Sequence, residues 1–327
     1  MSYHIYDARG SELYDITEIT GDMEWGDSTD SIGADMSLTD FLVVFTGADF
    51  KVQGKDILIL RNDEEELFRG IVSEATDPLD GTVSCRMYDF AYFMGKSTII
   101  IQFNSVRADE AVKQVCSRCG IECAILTEMT AVIKKVYFNE HPSDIIKDIV
   151  SQDKGENAQN LFMEMRGSVF CIYPPFEVTG TFKPADNIAE FDVANTPSSP
   201  VITESISGIS NSVVVVSGSA ESYRIIAEAR DDKDISVSGL RQTVEVIEEK
   251  NISQAANIAK NRLKEQGSIN RTLTTDMPGA DNVRSGRIIT YEDEENDIFG
   301  KYLITNCRHT IKDGIHTLSA DMTKWGE

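Results

Sequence analysis

Short runs of alternating apolar and polar positions predict that the chain begins with β-strands. Turn signals separate these runs, as at residues 8–11 and at Asp80-Gly81. No convincing helical period lies between them, so residues 1–96 are expected to form an antiparallel β-barrel or sandwich. The predicted strands are residues 3–6, 12–16, 38–45, 56–61, 66–73 and 82–88.

Residues 97–180 change to a helical period and predict two helices. The first is expected over residues 106–119, with Ser105 as its N-cap and Gly120 just past its end. The second opens at Pro142, because proline is favoured at the first helical position. Strands are predicted at 132–138, 162–165 and 168–173, so this stretch is expected to be a small α/β domain.

Residues 181–327 return to short β-branched runs after a polar connector at 184–200. One helix, predicted at about 251–266 and ended by Gly267, interrupts them. The predicted strands are 202–206, 212–217, 222–229, 271–275, 287–292, 301–308 and 317–322. The order of elements indicates a mainly β protein with an α+β insert, divided into domains at 1–96, 97–180 and 181–327. A length of 327 residues agrees with two or three domains.

The net charge of −23 limits the classes of partner that the chain can bind. Residues 1–95 hold 6 basic and 20 acidic side chains, so they contribute −14, while residues 96–180 contribute −2 and residues 181–327 contribute −7. Such a balance argues against a broad phosphate-binding surface and against specific recognition of nucleic acid. The excess of acid is explained either by solubility or by a surface that must repel a passing polyanion.

The chain shows no sign of membrane insertion. Its longest apolar runs are as short as a strand, well under the roughly 18 residues that a membrane helix needs. The first residues lack a basic region followed by an apolar run, so no signal peptide is predicted. We therefore expect synthesis and folding in a cytoplasm.

Three cysteines cluster in the first predicted helix and just after it. A Cys-x2-Cys pair occurs in zinc sites, but a zinc ribbon needs a second pair or two spaced histidines. Cys116 and Cys119 share one helix face with Val112 and Val115, where a free thiol packs as a small hydrophobe. We favour a core position for Cys116, Cys119 and Cys123, with zinc binding and redox chemistry as the alternatives.

The four histidines offer little for catalysis. His309 and His316 lie on adjacent predicted strands and can face one another, but no carboxylate is expected beside them. Cys116 would be a nucleophile only if His141 approached it, and its apolar helix face argues against activation.

Two acidic runs, at residues 63–66 and 292–295, are interpreted as solvated turns. Calcium binding is the alternative, but neither run has the oxygen spacing of an EF-hand loop. Gly-rich phosphate loops and Gly-x-Ser-x-Gly turns do not occur in the sequence. We therefore predict no catalytic, cofactor-binding or metal-binding residues, and a chain of this kind more often has an interaction or assembly role.

Three passages, in the same order over nearly the whole chain, are specific enough to compare with a known family. They are residues 88–94 leading into 104–121, residues 239–245 continuing through 254–264, and residues 283–286 with 302–305 and 309–318. Together they resemble the central baseplate hub proteins of contractile phage tails and phage-tail-like bacteriocins, in the branch labelled XkdQ/YqbQ-like.

The resemblance implies a fold with two tail-tube-like antiparallel β-barrel domains, at 1–96 and 181–327, and a small α/β domain between them. It also implies a homotrimer in which two tube-like domains from each copy make a ring of six, so that a three-fold spike is matched to a six-fold tube. The implied partners are the tail tube protein, the spike protein, baseplate wedge proteins, a LysM-type hub-associated protein and the tape measure protein. The protein would work within an assembled virion or bacteriocin, without a cofactor or an enzymatic activity.

Two other functions stay open at this point. A tail-associated peptidoglycan hydrolase would need a carboxylate pair or a Cys/His pair in a cleft. A carbohydrate-binding β-protein would need exposed aromatic side chains, yet the two tryptophans, Trp25 and Trp325, lie in loop-like or terminal sequence. If the hub assignment is right, the acidic side chains of residues 1–95 are expected to line a channel and repel DNA.

Overall fold

The chain divides into a discontinuous first unit, residues 1–201 and 274–327, and a second unit, residues 202–273. The structure is a computed structural model that describes residues 3–42, 52–77, 82–157, 159–182, 200–219, 222–247, 249–267 and 270–326. Both limits of the second unit fall inside the predicted third domain. The predicted boundaries at 96 and 180 stay predictions.

The first unit opens with antiparallel strands whose alternate side chains are apolar and buried. Ile5, Met36, Leu58 and Met87 lie fully inside this core, as expected for a sheet with one face packed. The strands are β1 (Tyr3–Arg9), β2 (Glu12–Asp15), β3 (Met23–Ser28), β4 (Asp35–Leu42), β5 (Ile57–Asn62), β6 (Glu65–Thr76) and β7 (Thr82–Tyr88), followed by the short helix α1 (Phe90–Phe93). A 3-10 turn, Thr17–Ile19, separates β2 from β3.

Two helices pack on short sheets in the segment that follows. Val112 and Val115 of the first helix and Ile145 and Ile149 of the second are fully buried in one core with Tyr137. The elements are β8 (Ile99–Arg107), α2 (Ala108–Arg118), β9 (Glu122–Ile125), β10 (Val132–Glu140), α3 (Pro142–Asn157), β11 (Phe162–Arg166) and β12 (Val169–Tyr173), and β13 (Phe176–Phe182) comes next. Strands β8 and β10 form a two-stranded sheet, and β11, β12 and β9 form a three-stranded one.

The second unit is built on a three-stranded sheet with a helix on one face. Val213 and Val215 of its central strand pack against Ala255 and Ala259 of the helix. The elements from here to the return of the chain are β14 (Val201–Ser205), β15 (Ser212–Ser219), β16 (Ser222–Arg230), α4 (Asp232–Ser238), β17 (Gln242–Ile247), the 3-10 segment Glu249–Gln254, α5 (Ala255–Gln266) and β18 (Asn270–Pro278). The sheet order is β16-β15-β17, with β15 and β17 parallel.

The last strands of the chain continue the sheet with which the first unit began. These strands are β19 (Arg287–Asp293), β20 (Ile298–Lys312) and β21 (Ile315–Lys324). Strand β3 pairs antiparallel with β20, which places Trp25 opposite His309 and Gly26 opposite Arg308. The order across the first unit is β2-β1-β5-β6-β7-β4-β3-β20-β21, with β19 also on β20 and β13 parallel to β19. We call the β3–β20 pairing the sheet joint.

The fold is mainly β with antiparallel sheets, as predicted, while the number of barrels stays a prediction. The helix predicted from Pro142 is confirmed as α3, and Gly120 ends α2 with a φ of +73°. The Ser105 cap is wrong: Ser105 lies inside β8, because β8 stays paired with β10 as far as Arg107, and α2 begins after Arg107.

Two elements of the second unit were not predicted, and one begins differently. Helix α4 is capped by Asp231, whose carboxylate accepts hydrogen bonds from the Lys233 and Asp234 amides, a signal present in the sequence. Strand β17 was also missed. The helix predicted at 251–266 is the 3-10 segment followed by α5. Residues 43–45 of a predicted strand, the turn at 80–81 and most of the connector 184–200 lie outside the described residues.

The sheet joint predicts the effect of a substitution at Gly26. A Cβ atom there would lie 2.4 Å from the Cys307 carbonyl oxygen, so Gly26→Ala must push β3 and β20 apart. We expect a loss of about 1–3 kcal/mol in the free energy of unfolding, measured by urea denaturation. Gly54→Ala is the matched control, because a Cβ at Gly54 meets nothing within 4 Å. Equal stability of the two variants would contradict this prediction.

Candidate functional site

A buried network of four charged side chains and a tyrosine lies beside the sheet joint, and we call it the ionic junction. Its members are Asp27 of β3, Glu164 of β11, Tyr173 of β12, Arg284 and Arg287. The side chains of Glu164 and Arg287 are 4% and 7% exposed, and those of Asp27 and Arg284 are 13% and 16% exposed. Residues from all three predicted domains therefore share one group of buried charges.

Arg287 contacts both oxygens of the Glu164 carboxylate. Its Nη2 donates to Oε1 and Oε2 of Glu164 at 2.9 and 2.8 Å, and its Nη1 donates to the Tyr173 hydroxyl at 2.5 Å and to the Ser285 carbonyl at 3.3 Å. Arg166 adds a further hydrogen bond to Glu164 at 2.6 Å. These charge-assisted hydrogen bonds hold the start of β19 against β11.

Arg284 and a backbone amide hold the second carboxylate of the junction. Arg284 Nε donates to Oδ2 of Asp27 at 2.9 Å, and the Ser285 amide donates to Oδ1 at 2.8 Å. Burial by itself would raise the pKa of Asp27, but the charge of Arg284 and these hydrogen bonds reverse the effect and lower it. Asp27 and Glu164 in turn raise the pKa of Arg284 against the effect of burial. Asp27 and Arg284 are therefore both charged.

Gly286, between the two arginines, must be a glycine for two reasons. Its φ of +76° lies in the left-handed region, and a Cβ would stand 2.8 Å from the Tyr173 hydroxyl and 3.0 Å from Phe162. The turn at residues 283–286 can therefore pass close to β11 and β12, which brings Arg284 and Arg287 to their carboxylates.

A second cluster, which we call the histidine cluster, lies farther along the sheet joint on the same face, because Trp25 and Asp27 are two residues apart on β3 and pair with His309 and Cys307. It consists of Tyr3 of β1, Trp25 of β3, Asp281, His309 of β20 and His316 of β21. His309 Nδ1 and His316 Nε2 are 3.0 Å apart, and the Trp25 ring stacks on both imidazoles with centroids at 4.7 and 5.3 Å. The cluster joins the first and last strands of the unit.

The hydrogen bonds of the histidine cluster define its protonation. His309 Nε2 lies 2.8 Å from the Val283 carbonyl, which only accepts, so this nitrogen carries the proton. His309 Nδ1 then accepts from His316 Nε2. The Tyr3 hydroxyl lies 2.6 Å from His316 Nδ1 and 2.9 Å from Asp281, and its single proton serves one of these two acceptors at a time.

Burial keeps both imidazoles neutral. It lowers the pKa of His309 to about 4, with the charge of His316 acting in the same direction. Burial also lowers the pKa of His316, although Asp281 opposes this, with its carboxylate 3.6 Å away. The interpretation that the two histidines face one another is confirmed. The expectation that no carboxylate lies near them is wrong, since Asp281 lies beside His316. The sequence pattern did not show this contact because the turn that carries Asp281 is distant in sequence.

A cysteine beside His309 is not arranged for nucleophilic catalysis. Cys307 Sγ lies 3.4 Å from His309 Nε2 and 3.4 Å from the Val283 carbonyl. Burial raises the pKa of the Cys307 thiol well above its usual value, and His309 Nε2 already carries a proton, so it cannot take another from the thiol. Both side chains are at most 2% exposed, which leaves a substrate no access.

The other residues weighed from the sequence lie apart from both clusters. Cys116 is fully buried in the core of α2 and α3, as predicted, and a hydrogen bond with Cys123 and burial both raise its pKa. His141 bonds the Ser97 carbonyl at 2.8 Å instead of a cysteine. Within the described part of the chain, no three His, Cys, Asp or Glu side chains are grouped to hold a metal ion.

The polar atoms of both clusters bond mainly to one another, and each cluster links strands that are distant in sequence. Sequence reasoning found the histidine pair but missed the ionic junction. One signal was present: the Val-Arg-Ser-Gly segment at 283–286 is one of the passages that resemble the hub family. Its Arg284 and Gly286 both have a position in the junction.

A family model described as YQBQ-like matches residues 24–323, which is most of the chain and includes both clusters except Tyr3. The chain belongs to the YQBQ-like family. The predicted family resemblance is thereby confirmed. A curated family relative, the phage-like element PBSX protein XkdQ of Bacillus subtilis, is 22% identical over 281 residues, covering 84% of this chain and 83% of XkdQ.

Solved structures show the same fold at low sequence identity. A tail protein from Neisseria meningitidis matches with a TM-score of 0.72 and 12% identity, covering 100% of this YQBQ-like chain and 98% of the tail protein. The Escherichia coli protein c3393, a type VI secretion component described as similar to T4 tail proteins gp27 and gp5, matches at 0.52 with 10% identity, over 94% and 74% of the two chains. By family and fold, the chain is a phage tail-type protein.

No helix among the residues described is both long and apolar enough to cross a membrane.

The ionic junction predicts a large cost for removing one partner. Arg287→Met removes the hydrogen bonds from Nη2 to Glu164 and leaves this buried carboxylate with Arg166 as its remaining close partner. We expect a loss of about 2–3 kcal/mol in the free energy of unfolding. The exposed pair of Arg271 and Glu204 provides the control, since Arg271→Met should cost less than about 1 kcal/mol. In a double-mutant cycle, Glu164→Gln added to Arg287→Met should cost less than the sum of the two single changes. Additive losses would contradict a direct interaction.

The histidine cluster predicts a stability that falls in mild acid. The pKa of His309 is lower in the folded protein than its ordinary value of 6.5, so below pH 6.5 the unfolded chain binds more protons and unfolding becomes easier down to about pH 4. Between pH 6.5 and 5 this contributes about 2 kcal/mol. Burial raises the pKa of Asp89 to about 7, which contributes a slope of opposite sign.

The measurement therefore compares variants rather than absolute slopes. Urea denaturation from pH 7 to 5 should show a smaller loss of stability on acidification for His309→Gln than for the unchanged protein, because the Asp89 contribution is common to both. His141→Gln, which removes a histidine outside the cluster, should leave the slope nearly unchanged. The same pH slope in all three proteins would rule out His309 as the source.

Proposed function

We propose that this protein is the structural hub of a contractile tail or tail-like injection particle. In this role three copies form a ring that joins the six-fold tail tube to the three-fold spike and anchors baseplate proteins. Its function lies in interfaces, without an active site or a cofactor. The family membership and the tail-protein fold support the general role, and the hub position is our inference from them.

The sheet joint is the observation that carries the proposal. It links the β-strands before the α/β segment to those at the end of the chain, edge to edge in one sheet. A subunit that spans two places in a ring needs such a rigid link, because a flexible connection would let the two halves turn independently. Repeated and closed contacts between such subunits also protect exposed strand edges.

The buried charges are consistent with a rigid structural protein. Removing two charges from water is costly, and the cost is recovered only when their geometry is well defined. The ionic junction therefore penalises small displacements of β11 and β12 relative to β3 and β19. A rigid adaptor between tube and spike needs this property more than it needs a cleft.

The partners of the hub follow from its proposed place in the tail. The tail tube protein would bind on one side and the spike protein on the other, with baseplate wedge proteins, a LysM-type hub-associated protein and the tape measure protein around them. The similarity of c3393, a component of the type VI secretion system, to T4 gp27 and gp5 supports this arrangement.

The proposal predicts the mass of the assembled protein. We expect mass photometry of the purified chain, alone or mixed with its spike protein, to show a species of three times 36.3 kDa per ring. If Arg287→Met gives a larger fraction of monomers than the unchanged protein, assembly of the ring depends on the ionic junction. A protein that stays monomeric at all concentrations and with every tail component would overturn the proposal.

Imaging of assembled tails gives an independent test of position. Cryo-electron microscopy should place the chain on the tail axis between tube and spike, with three copies in a ring. The acidic side chains of residues 1–95, which give that stretch a charge of −14, should face the channel. A neutral or basic channel would refute the role of these charges without refuting the hub.

A further inference from the structure

A pocket of the first unit holds two lysines in a chain that is strongly acidic, and we call it the lysine pocket. It has a volume of about 350 Å³ and lies between the loop from β3 to β4, the end of α1 and the start of α3. Its lining includes two lysines, two serines, an aspartate and a tyrosine, which are Lys96, Lys147, Ser28, Ser143, Asp30 and Tyr92.

Both ammonium groups of the lysine pocket are held in place without being neutralised. Lys147 Nζ donates a hydrogen bond to the Asp30 carbonyl oxygen at 2.7 Å, which leaves two of its three protons for another acceptor. Lys96 Nζ lies 4.5 Å from the centroid of the Tyr92 ring, which attracts the cation through its face. Among the residues described, neither lysine has an ion-pair partner.

The third donor of the lysine pocket is a buried hydroxyl. Ser143, in the first turn of α3, is 8% exposed, and its side chain makes no hydrogen bond within the described part of the chain. Gly95 also lines the pocket, and a Cβ added there would stand 3.4 Å from Ser143 Oγ. Buried polar groups are normally hydrogen-bonded, so Ser143 keeps a proton for a ligand in this pocket.

The backbone around the lysine pocket favours a carboxylate over a free phosphate. Phosphate sites at the start of a helix use backbone amides that have no other acceptor. Here the Ser143 amide donates to the Met94 carbonyl at 3.4 Å, and the Asp144 and Ile145 amides donate to the His141 carbonyl at 2.9 and 3.0 Å. The donors that remain are two ammonium groups and a hydroxyl, which suit a single carboxylate.

A groove continues from the lysine pocket, so the ligand can be part of a longer chain. A second cavity of about 160 Å³ shares Ser28, Ser31 and Tyr92 with the lysine pocket and reaches Asn306 and Arg308 of β20. An extended peptide can lie along both cavities, with one acidic side chain at the lysines and its backbone beside the polar residues. A free ion would fill the lysine pocket alone.

We propose that the lysine pocket binds an acidic side chain from an extended segment of a partner protein. The carboxylate lies between Lys96 and Lys147 and accepts a hydrogen bond from Ser143 Oγ. Asp30 weakens this binding by its charge. Because the chain has a net charge of −23, an acidic segment is repelled from most of its surface, and the lysine pocket selects where it docks. This inference does not depend on the number of copies in a ring.

Peptide binding tests the site directly. Fluorescence anisotropy of a rhodamine-labelled tetraglutamate peptide is measured during titration with the purified chain, and labelled tetraglutamine is the neutral comparison. We expect tighter binding of the acidic peptide, weakened by added sodium chloride. Lys96→Met and Lys147→Met should each weaken it about fivefold, as for one exposed ion pair. Ser143→Ala should weaken it about tenfold, because a hydrogen bond to a charged group is stronger.

Two further variants separate a loss of binding from a loss of structure. Asp30→Asn removes the opposing charge and should strengthen peptide binding about threefold, a gain that a damaged fold would not give. Lys154→Met removes an exposed lysine of α3 that lies outside the lysine pocket, and it should leave the affinity unchanged. Urea denaturation of each variant checks that it is folded.

The outcomes separate this inference from the proposed function. Equal binding of the two peptides, equal effects of Lys154→Met and Lys147→Met, or no gain from Asp30→Asn would overturn the acidic-segment site. Competition in which inorganic phosphate binds more tightly than the peptide would make this a site for a free anion, which also overturns it. Peptide binding by a chain that never forms a three-copy species would refute the hub and keep the site, and the reverse result would do the opposite.

Discussion

The pairing of β3 with β20 is the constraint on which the first unit depends. It joins strands more than 270 residues apart in sequence, at Asn306 opposite Ser28 and Ile311 opposite Met23. Gly26 allows the two backbones to meet, and both polar clusters lie along one face of the joint. A chain that closes such a distant contact loses much conformational entropy, so the joint needs support from side chains around it.

The ionic junction and the histidine cluster give this support in different ways. The junction fixes orientation through charges that are costly to bury and more costly to separate. The histidine cluster uses neutral rings, stacked on Trp25 and linked by hydrogen bonds, to bring β1 and the turn at Asp281 to the last strands. Both link segments that are distant in sequence through buried polar contacts.

The outer surfaces carry a different kind of information. The open edges of β8 and β17 lie in regions where the chain has left apolar side chains exposed, although its net charge is −23. Exposed apolar patches of this kind are typical of surfaces that other chains cover.

The sequence by itself determined the local elements and the family. Periodicity located α3 and most strands, because burial of one face imposes a period on the side chains. It placed the start of α2 wrongly at Ser105, since pairing of β8 with β10 overrides a local capping signal. It also did not predict that Asp27, Glu164 and Arg287 would meet. Contacts between distant residues are decided by tertiary structure, because the pattern within a strand records which face is buried but not which strand lies beside it.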